Sequence, residues 1–284
     1  MFSIQETVPF EQVIAEKSFN SVPILPEDAE LLGEGQYGAV FRVYDSRTRS
    51  HVAMKRIPNH LVNRMELSLC SHALPNLVPI LSLRFDSAYS YLSMPEMIPL
   101  NKVLRPSGGY SGKPLKLTAV RTLALDLMRG LHSLHSLGLV HNDVKSDNVL
   151  FHHGHYFLTD FGMVKFLPST GVLYQCPENG IASPLYRCPQ SVAAQRSNGY
   201  FNAFALDIWS LGVLLYEAAV GRFPIFPDDQ SVESLFDLLL DIAADKINLS
   251  EICDDFIREI VEKLLTIDRS DRMSNFDELC LRFL

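Results

Sequence analysis

The chain has 284 residues, 47% hydrophobic content and a formal net charge of −8, with an isoelectric point near 5.6. This length and composition allow a large buried core, in one domain or in two lobes. Nucleic-acid binders usually carry a basic patch, and none is evident, so we expect no nucleic-acid partner. The cysteines are scattered, odd in number and form no CxxC pair, which argues against a disulfide framework or a zinc site.

Neither a signal peptide nor a membrane span is predicted. Residues 1–12 lack a basic segment followed by an apolar run. No stretch reaches the roughly 18 apolar residues that are typical of a membrane-spanning helix. The apolar run Ile208–Val220 is shorter and contains Glu217, which predicts a buried helix. A cytoplasmic location is therefore the expectation.

Residues 27–100 favour β-structure. Residues 1–26 show no clear period and are expected to form an N-terminal extension, and residues 27–97 to form a first lobe. Within that lobe a helix is predicted around Leu61–Ser71. Short β-prone runs alternate with turn signals on either side of it. These runs are Ala39–Val43, Val52–Lys55 and Tyr89–Leu92.

From residue 98 onward a second lobe is predicted, and it is mainly helical. Residues 101–117 are rich in glycine and proline and predict a loop, and residues 160–200 are predicted to be irregular. Leucines at helical spacing predict a long helix that ends near Leu137. Further helices are predicted at Ala205–Val220, Ser231–Ala244 and Asp254–Leu265. A strand-rich part followed by a helical part predicts an α+β fold with two lobes.

The most informative segment is HNDVKSDN at residues 141–148, followed twelve residues later by DFG at 160–162. It spaces carboxylates, a lysine and an asparagine as phosphoryl transfer requires. One carboxylate can orient a hydroxyl group, and the other can hold magnesium on a nucleotide. An HxD triplet alone is a weak signal, whereas HxDxKxxN with DFG at this separation is specific.

These residues resemble the catalytic loop and the metal-binding loop of the protein kinase superfamily. The resemblance implies that Asp143 orients the hydroxyl of a protein substrate or accepts its proton, and that Lys145 neutralises charge on the γ-phosphate. It also implies that Asn148 and Asp160 hold Mg²⁺ for ATP. Lysine at position 145 resembles Ser/Thr kinases, whose protein substrates carry serine or threonine acceptors.

A glycine-rich motif, GEGQYGAV at residues 33–40, precedes VAMK at residues 52–55. Such glycines let backbone amides approach phosphate oxygens. GxGxxG also marks dinucleotide-binding folds, but these place a helix next, whereas a β-prone run follows here. The kinase resemblance instead implies a phosphate-gripping lysine. The nucleotide-binding residues implied in this region are Gly33, Gly35, Gly38, Val40, Ala53 and Lys55.

The kinase lysine requires a glutamate from the next helix, and Glu66 is the candidate. Only eleven residues separate it from Lys55. Counting back from Pro75-Asn76 would place Met65 there instead, and a deletion of one residue would restore the register. Glu66 is predicted to be the partner of Lys55.

Residues 91–97, YLSMPEM, resemble the hinge that binds adenine. Met94 would narrow the back of the nucleotide pocket. Pro95 has no backbone N–H, which leaves Met97, next to Glu96, as the expected donor. The Met-Pro hinge also resembles, more loosely, the rhoptry kinases of apicomplexan parasites, and that resemblance would imply a secreted effector.

The chain departs from the family pattern at two positions. Asn142 stands where arginine is common, and an amide cannot pair with a phosphate on the activation segment. Gln190 replaces the glutamate of the APE motif and is expected to hydrogen-bond to Arg272. Asp147 and Glu217 fall where some kinases place acids that bind a substrate arginine, which predicts a preference for a basic residue N-terminal to the acceptor.

The segment ASPLYRCPQ at residues 182–190 and the helix that begins near Asp207 also resemble protein kinases. Ser183 would sit beside Asp143, and Asp207 would brace the backbone of the catalytic loop. The first hypothesis is an active Ser/Thr protein kinase. The second is a pseudokinase that binds nucleotide or partner proteins without phosphoryl transfer. A small-molecule kinase of the choline or aminoglycoside type is a third, which the 182–190 segment argues against. The sequence does not indicate an oligomeric state.

Overall fold

The computed structural model describes residues 24–35, 38–46, 49–69, 73–169, 173–177, 181–242 and 247–284. The chain divides into two compact units, Met1–Met97 and Ile98–Leu284. An antiparallel sheet dominates the first unit and helices dominate the second, which confirms the predicted α+β class. Most of the predicted N-terminal extension lies outside the described residues.

The first unit contains an antiparallel sheet in the strand order β1-β2-β3-β5-β4. Its elements are β1 (Glu30–Gly35), β2 (Gly38–Asp45), β3 (Ser50–Pro58), a 3-10 turn (Asn59–Leu61), helix α1 (Arg64–Leu69), β4 (Ser82–Phe85) and β5 (Tyr89–Pro95). The predicted β-runs lie within β2, β3 and β5. The predicted start of the helix at Leu61 is wrong, because Asn63 caps the helix by accepting the Met65 backbone N–H at 3.0 Å.

One face of this sheet is covered by its own hydrophobic cluster. The cluster is formed by the buried side chains Val43, Val52, Met54 and Tyr91. Residues 24–29, which precede β1, contribute Ile24, Leu25 and Ala29 to the same packing. We call this group the Val43 cluster. The Val43 cluster covers one face of the sheet, and the predicted nucleotide-binding residues lie on the other face.

The second unit contains long helices and several short two- or three-stranded sheets. Its helices are α2 (Leu100–Leu104), α3 (Leu117–Ser136), α4 (Pro189–Arg196), α5 (Ala203–Val220), α6 (Val232–Leu240), α7 (Asp255–Leu264) and α8 (Arg269–Phe283). Its strands are β6 (Ile98–Pro99), β7 (Leu139–Val140), β8 (Val149–His152), β9 (His155–Leu158), β10 (Lys165–Phe166), β11 (Tyr174–Gln175) and β12 (Tyr200–Phe201).

Two segments predicted to be irregular contain helices. α2 begins the region predicted as a loop, because Leu100 and Leu104 lie one turn apart and are both buried. α4 lies within the segment 160–200 and begins at Pro189, a residue that favours the first helical position. The helix predicted at Ser231–Ala244 ends earlier than expected, because α6 stops at Leu240 and Asp241 is its C-cap. Residues 243 and 244 of the prediction lie outside the described part of the chain.

α5 is the central helix of the second unit, and nearly all of its side chains are buried. Asn202 caps its start by accepting the Ala205 backbone N–H, and Gly221, with a φ of 86°, ends it. The helix begins before the predicted run Ile208–Val220. Its 18 residues have a mean hydropathy of 1.5, enough for a membrane span by length and composition, but 89% of the window is buried inside the protein. α5 is thus a core helix.

The predicted contact between Gln190 and Arg272 is confirmed. Arg272 is fully buried and donates to Gln190 Oε1 at 3.1 Å, while the Gln190 amide donates to the Ile267 carbonyl at 2.7 Å. The guanidinium also donates to backbone carbonyls, including that of Ala205, and stacks over the Trp209 ring. Burial lowers the pKa of Arg272. An uncharged side chain therefore ties α4 to α8.

Replacing Gln190 with glutamate should stabilise the second unit. A carboxylate would give the buried guanidinium of Arg272 a charged acceptor, and hydrogen bonds to charged groups contribute about 1.5–3 kcal/mol. Losing the bond to Ile267 offsets part of this, so we expect a net gain of about 1 kcal/mol in the free energy of unfolding. Chemical denaturation measures it, with the exposed Gln175→Glu as control. A loss of stability would contradict the expectation.

Candidate active site

The sheet of the first unit gathers the predicted nucleotide-binding residues on one face. In the strand register Val40 pairs with Lys55, and Ala53 pairs with Met94. Lys55 and Ala53 are two positions apart on β3, and side chains two apart point to the same side of a strand. These residues therefore share the face opposite to the Val43 cluster.

Lys55 and Glu66 form a buried ion pair within the first unit. Lys55 Nζ lies 2.7 Å from Glu66 Oε1, and the two side chains are 11% and 5% exposed. α1 thus presents Glu66, and not Met65, to the strand that carries the lysine. The predicted contact is present despite the short separation in sequence.

The glycine-rich segment connects β1 to β2. Gly38 has a φ of 146°, and a Cβ there would overlap the Arg56 carbonyl oxygen, so this position requires glycine. At Gly33 and Gly35 a Cβ would meet no described atom within 4 Å. The chain's own packing therefore does not explain these two glycines. The residues between Gly35 and Gly38 lie outside the described part of the chain.

The predicted adenine-binding segment lies at the end of β5. Met94 is buried on the same sheet face as Ala53. Met97 is half-buried, and Glu96 forms an ion pair with Arg42, whose Nε lies 3.0 Å from Glu96 Oε1. Pro95, which cannot donate, is the last residue of the strand.

In the second unit the catalytic-loop side chains converge on one hydroxyl group. Ser183 Oγ lies 3.2 Å from Asp143 Oδ1 and 3.0 Å from Lys145 Nζ. Lys145 Nζ is also 2.7 Å from Asp143 Oδ2. The predicted neighbourhood of Ser183 is therefore confirmed. A hydroxyl oxygen here contacts a carboxylate and an ammonium group at once.

Asn148 connects the catalytic loop to the predicted metal-binding loop. Its side-chain nitrogen donates to the Asp143 carbonyl at 2.8 Å and to Asp143 Oδ2 at 2.9 Å. Its backbone carbonyl accepts the Thr159 N–H at 3.0 Å, which places Asp160 one residue away. Asp160 has the left-handed φ of 61°, uncommon for a residue with a side chain. With its nitrogen engaged, Asn148 retains its side-chain oxygen for ligation.

Further contacts hold the same two loops together. The His141 ring nitrogen Nε2 lies 3.0 Å from the Thr159 carbonyl, and its ring packs edge-on against Phe161 with centroids 5.7 Å apart. The Asn142 amide donates to the Met163 carbonyl at 3.1 Å. Asn142 is buried, so it serves as a neutral link between the loops. His141 and Phe161 therefore have a packing role.

Asp207 braces the catalytic loop from α5. Its carboxylate accepts the backbone N–H of His141 at 2.7 Å and that of Asn142 at 2.8 Å. The His135 Nε2 atom lies 3.0 Å from the same carboxylate. Asp207 is fully buried, so no water competes for these bonds. The predicted structural role of Asp207 is confirmed.

Glu217, on the same helix, is enclosed by groups that the sequence did not indicate. Its Oε2 accepts the Tyr186 hydroxyl at 2.6 Å, and its Oε1 lies 3.2 Å from Arg105 Nε. Burial raises the pKa of Glu217, and the Tyr186 and Arg105 contacts lower it only in part. Arg105 follows α2, in the segment predicted as a loop, and no local pattern marks it as a partner of Glu217.

The fold and this arrangement are those of protein kinases. The chain matches the protein kinase domain family over residues 27–283, and it belongs to that superfamily. The match agrees with the motifs at 141–148 and 160–162. It favours a protein kinase over a small-molecule kinase of the choline or aminoglycoside type.

Curated relatives are also protein kinases. The chain is 31% identical over 260 residues to a cAMP-dependent protein kinase catalytic subunit, PRKX, of Mus musculus, covering 86% of this chain and 66% of the relative. It is 27% identical over 257 residues to a cAMP-dependent protein kinase, catalytic subunit-like, of Caenorhabditis elegans, covering 85% and 58%. It is 30% identical over 212 residues to Rho-associated protein kinase 1 of Homo sapiens, covering 71% and 15%. The chain thus spans 66% or less of the length of each.

Proposed function

We propose that this chain is an ATP- and Mg²⁺-dependent Ser/Thr protein kinase that transfers the γ-phosphate to hydroxyl groups of proteins. The observation that carries the proposal is the contact of Ser183 Oγ with both Asp143 and Lys145. A hydroxyl oxygen that contacts both side chains at once supports this position as the site of a substrate hydroxyl. A substrate hydroxyl that took the place of Ser183 would meet the same carboxylate and ammonium.

The chemistry at this position follows from the two charges. The substrate oxygen forms a bond to the γ-phosphorus, the bond from that phosphorus to the β–γ bridging oxygen breaks, and ADP leaves. Asp143 orients the hydroxyl and receives its proton as the new bond forms. Lys145 offsets the negative charge of the phosphoryl oxygens. Because the transition state is loose, orientation by Asp143 contributes more than its basicity.

The described residues fit Mg²⁺ and ATP. Asn148 keeps a side-chain oxygen and Asp160 adds a carboxylate, which are the hard ligands that magnesium prefers. Bound magnesium would neutralise phosphate charge. In the first unit Lys55, oriented by Glu66, would bind the nucleotide phosphates, and the open space at Gly33 and Gly35 would admit them. Val40, Ala53, Met94, Glu96 and Met97 are proposed to line the site of adenine.

Serine and threonine are favoured as acceptors for two reasons. The residue whose hydroxyl contacts Asp143 within the chain is itself a serine, which supports short hydroxyl side chains as acceptors. The relatives that match are named as cAMP-dependent and Rho-associated protein kinases, and Lys145 occupies the position that resembles Ser/Thr kinases. The proposed partners are accordingly proteins with serine or threonine acceptors.

The direct test is transfer of radiolabelled phosphate from ATP to a generic protein substrate, with magnesium and with excess EDTA. We expect label on serine or threonine after acid hydrolysis of the product, and none with EDTA. Label on tyrosine would contradict the acceptor specificity.

A second measurement on the same protein distinguishes the pseudokinase alternative from an active kinase. Asn142 and Gln190, both uncharged where the family pattern has charges, favour it, and so does Pro95, which has no N–H to donate to a nucleotide. A thermal shift measures ATP binding without requiring transfer. Stabilisation by ATP with no labelled product would support a nucleotide-binding pseudokinase and overturn the proposed activity.

Replacing Glu66 with glutamine should weaken both stability and nucleotide use. Lys55 would lose the charge of this buried carboxylate, although the amide keeps a hydrogen bond, so we expect a loss of about 1–3 kcal/mol. The affinity for ATP should fall about tenfold or more, since a net loss of 1.4 kcal/mol corresponds to a factor of about ten. Chemical denaturation and ATP titration measure the two effects. The exposed Glu27→Gln is the control, and unchanged ATP affinity in Glu66→Gln would count against this role.

A further inference from the structure

A cleft of about 260 Å³ lies beside the catalytic loop in the second unit. Lys145 and Ser183, which contact Asp143, form part of its wall, so the cleft is continuous with the proposed acceptor position. Most of the remaining wall is apolar. Its apolar members include Pro184, Leu185, Phe226, Val232 and Leu235. A substrate segment next to the acceptor would occupy this cleft.

Arg105 and Asp147 both line the cleft, and Arg105 also contacts the buried Glu217. The Arg105 Nε lies 3.2 Å from Glu217 Oε1, and one terminal nitrogen lies 3.5 Å from Asp147 Oδ2. The same nitrogen donates to Ser146 Oγ at 2.8 Å, and the other donates to the Gly109 carbonyl at 3.3 Å. The side chain is only 13% exposed. The guanidinium therefore makes, within the chain, the contacts that a substrate arginine would need.

Glu217 and Asp147 retain little capacity to bind the guanidinium of a substrate arginine in addition to that of Arg105. Both Glu217 oxygens are engaged, one by Tyr186 and one by Arg105, and the side chain is 2% exposed. Asp147 is 46% exposed, but it accepts the Asn101 amide at 2.7 Å and faces Arg105 as well. An exposed carboxylate of this kind contributes little to binding a cation. No described residue of the cleft wall is therefore a buried acid that is free to pair with a substrate cation.

We propose that Arg105 is the specificity-determining residue of this cleft: it neutralises Glu217 and Asp147 from within, so that the cleft does not select a basic residue. Substrate segments with uncharged side chains bind there instead, against the apolar wall. This inference rests on the proposed kinase function for its substrate, and it replaces the expectation that Asp147 and Glu217 select a substrate arginine.

The test compares peptide series that differ only by alanine or arginine at each position N-terminal to a serine acceptor. Wild type should prefer arginine by no more than about fivefold at any position, because an exposed ion pair contributes little. In Arg105→Ala, Glu217 is uncovered and arginine should be preferred at least about tenfold more than in wild type at one position, as pairing with a buried charge is strong. The assay is run at pH 8, because burial raises the pKa of Glu217 and loss of Arg105 would raise it further.

Peptide binding, measured by fluorescence anisotropy, separates this inference from the proposed activity. It needs no phosphoryl transfer, so the shift in preference must appear in binding even if the chain proves to be a pseudokinase. A shift in binding without any transfer would overturn the proposed function and support the inference. The same preference in wild type and Arg105→Ala would overturn the inference whether or not transfer occurs.

Companion variants keep the test decisive. Arg105→Ala/Glu217→Gln removes the acid as well and should return the peptide preference to that of wild type. Arg121→Ala, an exposed arginine paired with Asp254 outside the cleft, is the matched control. If Arg105→Ala fails to fold, the single variant Asp147→Asn, which keeps Arg105, is used to test the proposal. Its peptide preference should stay within about fivefold of wild type, and a strong wild-type preference for arginine that Asp147→Asn abolishes would refute the proposal.

Discussion

Replacing Asp143 with alanine should lower turnover by about a thousandfold, within the range of general acid–base contributions. The carboxylate is the only described acid in hydrogen-bond contact with Ser183 Oγ, the atom that marks the acceptor position. Its removal takes away both the orientation of the hydroxyl and the acceptor of its proton. ATP affinity should stay within about threefold, because Lys55 and Asp160 are unchanged and Asn148 keeps its hydrogen bond to the backbone carbonyl of residue 143.

Steady-state kinetics and ATP titration test this expectation together. Asp277→Ala, which removes an exposed carboxylate from α8, is the matched control and should keep wild-type turnover. Asp143→Asn extends the series, because the amide keeps the size of the side chain but accepts no proton. Equal turnover in wild type and Asp143→Ala would overturn the mechanism proposed above.

Replacing Asp207 with alanine should reduce stability and turnover at once. The buried N–H groups of His141 and Asn142 would lose their acceptor, and each unsatisfied group costs about 1–3 kcal/mol. We therefore expect a loss of about 2–5 kcal/mol in the free energy of unfolding. Because those amides fix the loop that carries Asp143, turnover should fall by at least about tenfold even where the variant is fully folded.

Chemical denaturation gives the first quantity, and kinetics well below the unfolding transition give the second. The exposed Asp228→Ala is the control, and Asp207→Asn should be intermediate, since an amide oxygen can accept one of the two bonds. A destabilised Asp207→Ala with wild-type turnover would mean that the brace serves folding alone.

The contacts among the proposed catalytic-loop groups were predictable because these residues are close in sequence. Asp143, Lys145 and Asn148 occupy one short loop, so their spacing alone restricts how they can be arranged. Lys55 and Glu66 differ, because their separation of eleven residues is short and the register favoured Met65; the resemblance to protein kinases predicted this contact. Local spacing therefore carried the prediction of the catalytic-loop groups, and the family resemblance carried that of Glu66.

Contacts between distant segments could not be predicted from local spacing. Those of Ser183, Asp207 and Gln190 were expected only because the chain resembles protein kinases, and those of Arg105 were not expected at all. Arg105 follows a helix that the neighbouring glycines and prolines concealed, and its partner Glu217 is on a different helix. The apolar spacing of Leu100 and Leu104 is one turn long, too short to outweigh the loop composition. α4 was missed for a related reason, because its apolar residues show only a weak helical period. Packing between distant segments, and not local sequence, determines the Arg105–Glu217 contact and the helices α2 and α4.

The hydrogen bond between Gln190 and Arg272 should be insensitive to mild acid. Neither side chain changes its protonation between mild acid and neutral pH, because an amide does not titrate and a guanidinium stays charged. A glutamate at position 190 would make the same link depend on an ionised carboxylate, which protonates as the pH falls. The amide therefore gives up some strength at neutral pH and keeps α4 joined to α8 in acid.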